Sequence, residues 1–475
     1  MPFPFTLPTT SSVRLSDFFT SPTHPALPLT AANKRLILRN ALKRHKRLEP
    51  SARPGHLHSV HEALVGYLPY LGALNTASAY RDIGTELVQL DFQRPLTVEW
   101  RTTLSATLPG KEAPRPKLTG LHHEIAFTLS TLAYVQTLRA RAQLALLHGT
   151  QVVSSDQRTN AIATAMNRLL DAHSIHSHLL SLPTVSTTTT HGPPDTHPST
   201  VSALASLALA EATLVVVAKD DPYAAAVADD RNAAHTDWMF RAPSLPKVRA
   251  HLFARICLAA ADHAATARGL LVAAHLDDAL PRYAADLHRT ARAKAARFLA
   301  VDAELAGQTG TALAWVRGAQ HELGVSAAAP ARKGLRGLKH RLQEAREDRL
   351  TSRGDGEDWG LDAGRLEEAR VLESLETKWE RENCTVNVQV VPPFEPLLAA
   401  MPSGREYHVA RAWSVPVLDS AALVRMRVGG ASGEEGMVRE EEDDSGHDDQ
   451  YGRAAGEPVG AFPGTGRDYG ASGYY

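Results

Sequence analysis

The sequence predicts an all-α protein, organised either as a bundle or as a solenoid of helical hairpins. About ten segments repeat apolar residues at three- and four-residue spacing, which is typical of amphipathic helices. Most connections between these segments are short, so neighbouring helices are expected to be antiparallel. Strong strand-like alternation occurs only once, late in the chain. No exact 34-residue repeat is present, so the sequence does not demonstrate a regular tetratricopeptide array.

The chain begins with a proline-rich segment that cannot start as a helix. Phe3, Phe5 and Leu7 alternate with other residues, so we expect an extended segment that packs on a larger body. A basic region followed by an apolar stretch is missing, and no secretory signal is predicted. The longest apolar stretch, 202–218, is interrupted by Glu211, and we expect a buried helix there rather than a membrane span.

Helical periodicity then dominates the chain. In the third helical segment, for example, Ile125, Leu129 and Leu132 lie on one stripe. The predicted helices cover residues 31–48, 60–84, 118–147, 159–182, 200–219, 245–274, 280–307, 309–323, 335–349 and 367–382.

Three other segments break this pattern. Residues 109–116 and 183–198 are rich in proline, and the second of these also contains four consecutive threonines, so both are predicted to be loops. Residues 385–391 alternate between apolar and polar side chains and predict a β-strand.

The formal net charge of −1 is distributed unevenly over the 475 residues. Residues 430–475 hold 11 acidic and 3 basic residues, so they carry −8 and the remainder of the chain carries +7. We expect an ordered domain over 1–425 and a disordered, acidic, Gly/Tyr-rich tail over 426–475. The near-neutral total argues against a general nucleic-acid binder. Two cysteines cannot form a disulfide framework and fit no zinc pattern.

Motifs for catalysis or metal binding are incomplete. The pairs His61-Glu62 and His123-Glu124 begin like zinc-protease helices, but residues 65 and 127 are not the histidines that such a site requires. Glycine loops for nucleotides and a serine nucleophile elbow are also missing. The sequence therefore predicts no catalytic residues, no metal ligands and no cofactor.

Seven basic residues lie between Lys34 and Arg47. They surround the predicted helix instead of forming one stripe, and two interpretations stay open. One is a solvated helix, and the other is a patch for anionic lipid or an acidic partner. No aromatic residues are interleaved with the basic ones, so binding of single-stranded nucleic acid is not expected.

Several short motifs occur in the order found in one known family. They begin at Phe3 (FPFTLPTT), Leu96 (LTVEWRTTLS), His123 (HEIAFTLSTLA), Leu207 (LALAEATLVVVAK), Gly310 (GTALAWVRGA) and Val391 (VPP, continuing to PSGRE and to VP at 415–416). Together they resemble BRO1 domains, and within that family the PalC-like fungal proteins of ambient-pH signalling. The resemblance covers about residues 1–420. Two departures are visible: Glu211 and Thr213 replace the family's Gln-x-Gln, and no long coiled-coil arm follows.

The resemblance implies a curved, tetratricopeptide-like helical solenoid with a small β element near the N-terminus, and a binding protein rather than an enzyme. BRO1 domains bind the C-terminal amphipathic helix of the ESCRT-III subunit Snf7 (Vps32) in an apolar groove. PalC-like members link a plasma-membrane pH-sensor complex to ESCRT-III and to proteolytic activation of a zinc-finger transcription factor.

On this basis we expect an adaptor of fungal alkaline-pH signalling that is cytoplasmic and is recruited to the plasma membrane or to endosomes. Any direct contact with the membrane is expected to be peripheral, and no nucleic-acid partner is expected. The alternative is a helical scaffold that binds a different amphipathic peptide in endosomal sorting.

The helix predicted over 200–219 carries the candidate partner-binding face. Leu204, Leu207, Glu211 and Leu214 are three or four residues apart and share one side of this helix. Part of that side must pack in the core, and the rest could form the floor of a groove for a partner helix. Arg405 is the fifth candidate, because its guanidinium can bind carboxylates or carbonyl groups. A purely structural role stays open for each of the five residues.

Overall fold

The computed structural model describes residues 2–105, 113–148, 154–182, 192–223, 247–271, 276–324, 360–409 and 411–428. All of them fall within one compact unit, Met1–Gly433. The helix predicted over 335–349 and the predicted tail beyond residue 428 lie outside the described residues. The predicted domain boundary after residue 425 therefore stays a prediction.

Nine long helices dominate the described part of the chain, and each packs against the next in sequence. This is the neighbour-to-neighbour order of a helical solenoid. The helices are α1 (Ala26–Arg47), α2 (Arg53–Ser78), α3 (Leu121–Ala145), α4 (Ser155–Ser181), α5 (Pro198–Asp220), α6 (Lys247–Leu271), α7 (Ala279–Leu305), α8 (Thr309–Leu323) and α9 (Arg365–Glu382), followed by the short α10 (Glu395–Ala399) and α11 (Ser420–Met426).

Prolines explain why two helices begin earlier than predicted. α2 starts at Arg53 with Pro54 in its first turn, and α5 starts at Pro198 itself. Proline is favourable at these positions because the amide hydrogen that it lacks has no partner in the first turn. Loop-like proline signals therefore mark helix starts here.

Two short antiparallel strand pairs form the β part of the fold. The pairs are β1 (Phe19–Thr20) with β2 (Asp91–Phe92), and β3 (Thr97–Glu99) with β4 (Lys117–Thr119). Their positions confirm the predicted small β element near the N-terminus. Because residues 117–119 pair with β3, α3 begins at Leu121 and not at the predicted residue 118.

The strand predicted over 385–391 is wrong. Asn383–Asn387 instead forms a π-helical turn that continues α9, and Val388 has the left-handed φ of 45°. The Asn383 side chain closes this turn: its Nδ2 donates to the Gln389 carbonyl and its Oδ1 accepts from the Gln389 N–H, both at 2.9 Å. A side chain therefore satisfies backbone groups that a neighbouring strand was expected to pair.

A buried ionic network joins the first three helices. Arg35 of α1 donates from Nε to Oε1 of Glu124 in α3 at 2.8 Å. Tyr67 of α2 donates its hydroxyl to the same oxygen at 3.1 Å, and Trp100 donates its indole N–H to Glu124 Oε2 at 2.7 Å. Three donors thus compensate one fully buried carboxylate, which fixes how α1, α2 and α3 pack.

A second buried network joins Asp221, the residue after α5, to α7 and α9. Arg297 donates from Nη2 to Asp221 Oδ2 at 2.5 Å and from Nε to Glu368 Oε1 at 2.6 Å. Lys294 donates from Nζ to Glu368 Oε2 at 2.6 Å. Arg297 is shared by both carboxylates, so its loss would leave Asp221 and Glu368 buried with less compensation.

Beyond α9 the chain returns past the earlier helices in reverse order, and we call residues 388–428 the C-terminal strap. It contacts α8, α6, α4 and finally the segment before α1. The contacts are the Gly310 N–H to Gln389 Oε1 (3.0 Å), the Arg405 N–H to the Arg255 carbonyl (2.9 Å), the His178 and Trp413 rings (5.0 Å between centroids) and the Val428 N–H to the Thr23 carbonyl (3.0 Å).

Candidate partner-binding site around helix α5

Helix α5 lies between α4 and α6 and packs against both. Among the described residues it is the one helix that is long and apolar enough to cross a membrane, with a mean hydropathy of 2.1 in its most apolar window. Within that window 67% is buried inside the protein. Such burial is typical of the core helix of a soluble fold.

Three of the predicted site residues on α5 face the core. Leu204 and Leu207 are each 2% exposed, and Glu211 is 4% exposed. The spacing places them on one side of α5, as expected, but other parts of the chain cover that side. Their contribution to partner binding stays a prediction, and in this arrangement it can only be indirect.

Glu211 holds the N-terminal segment against the helices. Its Oε1 accepts the Phe3 N–H at 3.0 Å and the Tyr283 hydroxyl of α7 at 2.7 Å. Burial raises the pKa of this carboxyl to about 7, although the hydrogen bond from Tyr283 acts in the opposite direction. Glu211 is therefore a buried carboxyl that changes its ionisation near neutral pH.

Aromatic rings complete this attachment. Phe3 meets Tyr283 edge to face with ring centroids 5.2 Å apart, and Phe5 stacks on Tyr134 of α3 at 4.4 Å. The predicted packing of the extended N-terminal segment on a larger body is thus confirmed. The sequence singled out the Phe3 segment and Glu211 separately, but it gave no sign that the two are in contact. Tyr283 gave no signal, because a lone tyrosine in an amphipathic helix looks like an ordinary core residue.

The other two predicted site residues lie closer to solvent. Leu214 is half-buried and packs against three separate apolar clusters around α5. Arg405 is exposed on the C-terminal strap, where its backbone N–H donates to the Arg255 carbonyl of α6. Among the described residues, no hydrogen bond or ion pair joins Arg405 to α5. The five predicted residues therefore divide into a buried group and two more accessible positions.

The reactive groups around this region favour packing over chemistry. Cys257 of α6 is buried, and burial raises the pKa of its thiol to about 12, which keeps it protonated. Within the described ranges, no three His, Cys, Asp or Glu side chains lie close enough together to hold a metal ion. Glu211 and Tyr283, which are both buried here, pair with each other and join α5 to α7.

Comparison with known proteins gives one relative over nearly the full length. The pH-response regulator protein palC of Emericella nidulans (strain FGSC A4) is 41% identical over 510 residues, which cover 98% of this chain and 99% of the relative. No family model matches the chain.

Two solved structures resemble the fold. The BRO1 domain of ALIX in complex with CHMP4C is 15% identical with a TM-score of 0.52, over 87% of this chain and 96% of that one. ALIX in complex with the SIVmac239 PYKEVTEDL late domain is 17% identical with a TM-score of 0.51, over 87% and 49% of the two chains. These likenesses confirm the predicted all-α fold class.

Proposed function

The chain belongs to the family of palC-type pH-response regulators, and on this premise we propose that it is a signalling adaptor that binds the C-terminal amphipathic helix of the ESCRT-III subunit Snf7 (Vps32). The observation that carries the proposal is 41% identity to a pH-response regulator over 98% of the chain. The BRO1-type fold supports it, since the BRO1 domain of ALIX was solved in complex with CHMP4C.

The proposal has a cellular part. By binding Snf7, the adaptor links an activated pH sensor at the plasma membrane to ESCRT-III, and this assembly promotes proteolytic activation of a zinc-finger transcription factor. The chain acts as a binding scaffold rather than as an enzyme. It is cytoplasmic and is recruited to the plasma membrane or to endosomal surfaces, with peripheral membrane contact.

Burial decides which variants can test the Snf7 site. Leu207→Asp would place a carboxylate in the core and is expected to unfold the chain, so it cannot distinguish binding from folding. Arg405 is exposed, and Arg405→Glu reverses its charge without disturbing a buried contact. Arg81→Glu is the matched control, because Arg81 is an exposed arginine in the loop after α2.

The test is a titration of the full chain with a fluorescent peptide that carries the Snf7 C-terminal helix. We expect saturable binding, at least about tenfold weakening by Arg405→Glu, and little change with Arg81→Glu. Lack of saturable binding at high micromolar peptide would overturn the Snf7 proposal and favour a scaffold for another amphipathic peptide. Equal affinities of the two variants would remove Arg405 from the site.

A second experiment separates the adaptor role from the Snf7 contact. Expression of the chain in an Emericella nidulans strain that lacks palC should restore the alkaline-pH response. Restoration without peptide binding would keep the adaptor role and discard this partner. Failure to restore the response by a chain that is stably expressed would contradict the signalling role itself.

A further inference from the structure

A groove between α1 and α2 lies on the outside of the fold and serves no purpose that the packing explains. Its volume is about 580 Å³, and both helices line it over matching lengths, residues 34–44 and residues 56–66. At 1.5 Å per residue each wall is about 15 Å long, which equals roughly three helical turns. The groove is therefore long enough for a short helix to lie in it.

The groove lining includes apolar residues. Ile37, Ala41 and Ala63 all line it, and Ile37 is 42% exposed. Ile37 and Ala41 are four residues apart on α1, and Ala63 and Gly66 are three apart on α2. Both helices thus present small or apolar residues at helical spacing, which is the arrangement that accepts the apolar face of an amphipathic helix.

Gly66 leaves open space on the α2 wall of the groove. It lies in the interior of α2, where glycine is unfavourable because of its conformational freedom. It does not need a positive φ, and a side-chain carbon added to it would meet no atom within 4 Å. Since neither backbone conformation nor internal packing requires a glycine here, its open space suits a partner backbone that comes close to α2.

The charge of the groove specifies the partner. Helix α1 contains no Asp or Glu, and two of its seven Lys and Arg residues, Lys34 and Arg44, line the groove. Among the described residues neither of these two has an ion-pair partner. The one carboxylate in the lining, Glu62, lies 3.1 Å from Nδ1 of His61 and 3.8 Å from Nδ1 of His58.

We propose that the α1–α2 groove is a docking site for an acidic amphipathic helix of about three turns, contributed by a protein partner. This surface is separate from α5 and Arg405, so it gives the adaptor a second binding surface and does not depend on the Snf7 proposal. A groove between two helices suits a helix better than a flat bilayer, because its two walls can contact both sides of a helix. Binding at this site should weaken as salt is added.

The decisive variant is Gly66→Leu, which fills the groove and leaves every charge in place. Leucine is a better helix former than glycine, so this variant should be at least as stable as the wild type. Gly269→Leu is the matched control: Gly269 is an exposed glycine within α6 that also has open space around it, and it does not line the groove.

The probe is a synthetic helical peptide of roughly 11 residues, rich in glutamate, with leucines at three- and four-residue spacing. We expect saturable binding to the full chain, at least about tenfold weakening by Gly66→Leu and by Lys34→Glu with Arg44→Glu, and less than about twofold change with Gly269→Leu. A peptide of the same composition with scrambled leucines should bind at least about tenfold more weakly.

Three outcomes would overturn the proposal. The first is no saturable binding of the peptide at high micromolar concentration. The second is equal binding of the ordered and scrambled peptides, which would reduce the groove to nonspecific charge attraction. The third is binding to phosphatidylserine vesicles that the peptide does not displace and Gly66→Leu does not weaken, because the basic surface would then be a lipid patch.

Discussion

The pH dependence of stability should be traceable to one buried carboxyl, Glu211. Its pKa is about 7 in the folded chain, against an ordinary value of 4.5. Between these two pH values the folded chain keeps a proton that the unfolded chain has released. The contribution of this group to stability is therefore complete below pH 4.5, is lost as the pH rises towards 7, and changes no further above that. The pKa difference corresponds to about 3 kcal/mol.

Glu211→Gln is the informative substitution. A glutamine has the shape of the protonated acid, and its carbonyl oxygen can still accept from the Phe3 N–H and the Tyr283 hydroxyl. The variant cannot ionise, so it should keep at neutral pH the stability that the wild type loses. The assay is urea unfolding of both chains at a series of pH values from below 4.5 to above 7.

The expected result is a difference in unfolding free energy between wild type and Glu211→Gln that changes by about 3 kcal/mol across this range. Tyr283→Phe provides a second arm. Removing the hydroxyl removes a hydrogen bond that lowers the pKa of Glu211, so the transition should move to higher pH. In the Glu211→Gln background the same change should leave pH dependence unaltered. Parallel curves for wild type and Glu211→Gln would refute the reasoning.

Two further predictions concern how helices and strap are held. Arg297→Met should lower the free energy of unfolding, measured with urea, by about 3–5 kcal/mol, because it leaves Asp221 and Glu368 buried with less compensation. Arg282→Met, at an exposed position, should lower it little. A loss below about 1 kcal/mol for Arg297→Met would contradict the network's role. Gly404→Ala should loosen the C-terminal strap, because the added carbon would lie 2.7 Å from the Ala259 nitrogen. Trypsin should therefore cleave this variant faster after Arg405. The control variant Ser403→Ala should be cleaved at the wild-type rate.

Helix periodicity was sufficient to locate every helix that the structure describes from α1 to α9, because burial of one face leaves a repeating pattern in the residues themselves. The ends of the helices depended on finer chemistry. Before α3, residue 118 fits the apolar spacing of the helix, but residues 117–119 pair with β3. Whether such a segment becomes helix or strand depends on the presence of the partner strand.

The failed strand over 385–391 has a similar cause. Alternation of apolar and polar residues indicates a strand that buries one face, but here Val386, Val388 and Val390 are all exposed and residues 385–387 continue α9 as a π-helical turn. A strand forms only if its backbone N–H and C=O groups can pair with a neighbouring strand. Here the Asn383 side chain pairs with the N–H and C=O of Gln389 instead.

The candidate site shows where periodicity stops being informative. It predicts that Leu204, Leu207 and Glu211 share one side of α5, but it could not say that this side would be covered. The covering segment includes Phe3, which is 208 positions away from Glu211, and nothing local to α5 encodes that contact. The α1–α2 groove was missed for a related reason, since it exists only where two helices with unremarkable sequences lie side by side.

The strap changes how the helical array should unfold. In a linear array each end unit has a neighbour on one side only, and unfolding can begin at the ends and spread inward. Here the chain that leaves α9 passes α8, α6 and α4 and ends with the Val428 N–H on the Thr23 carbonyl, beside the start of α1. Opening either end therefore also breaks contacts elsewhere in the array. Fraying is thereby coupled to global unfolding, so amide hydrogens in α1 and α9 should exchange in the same cooperative event.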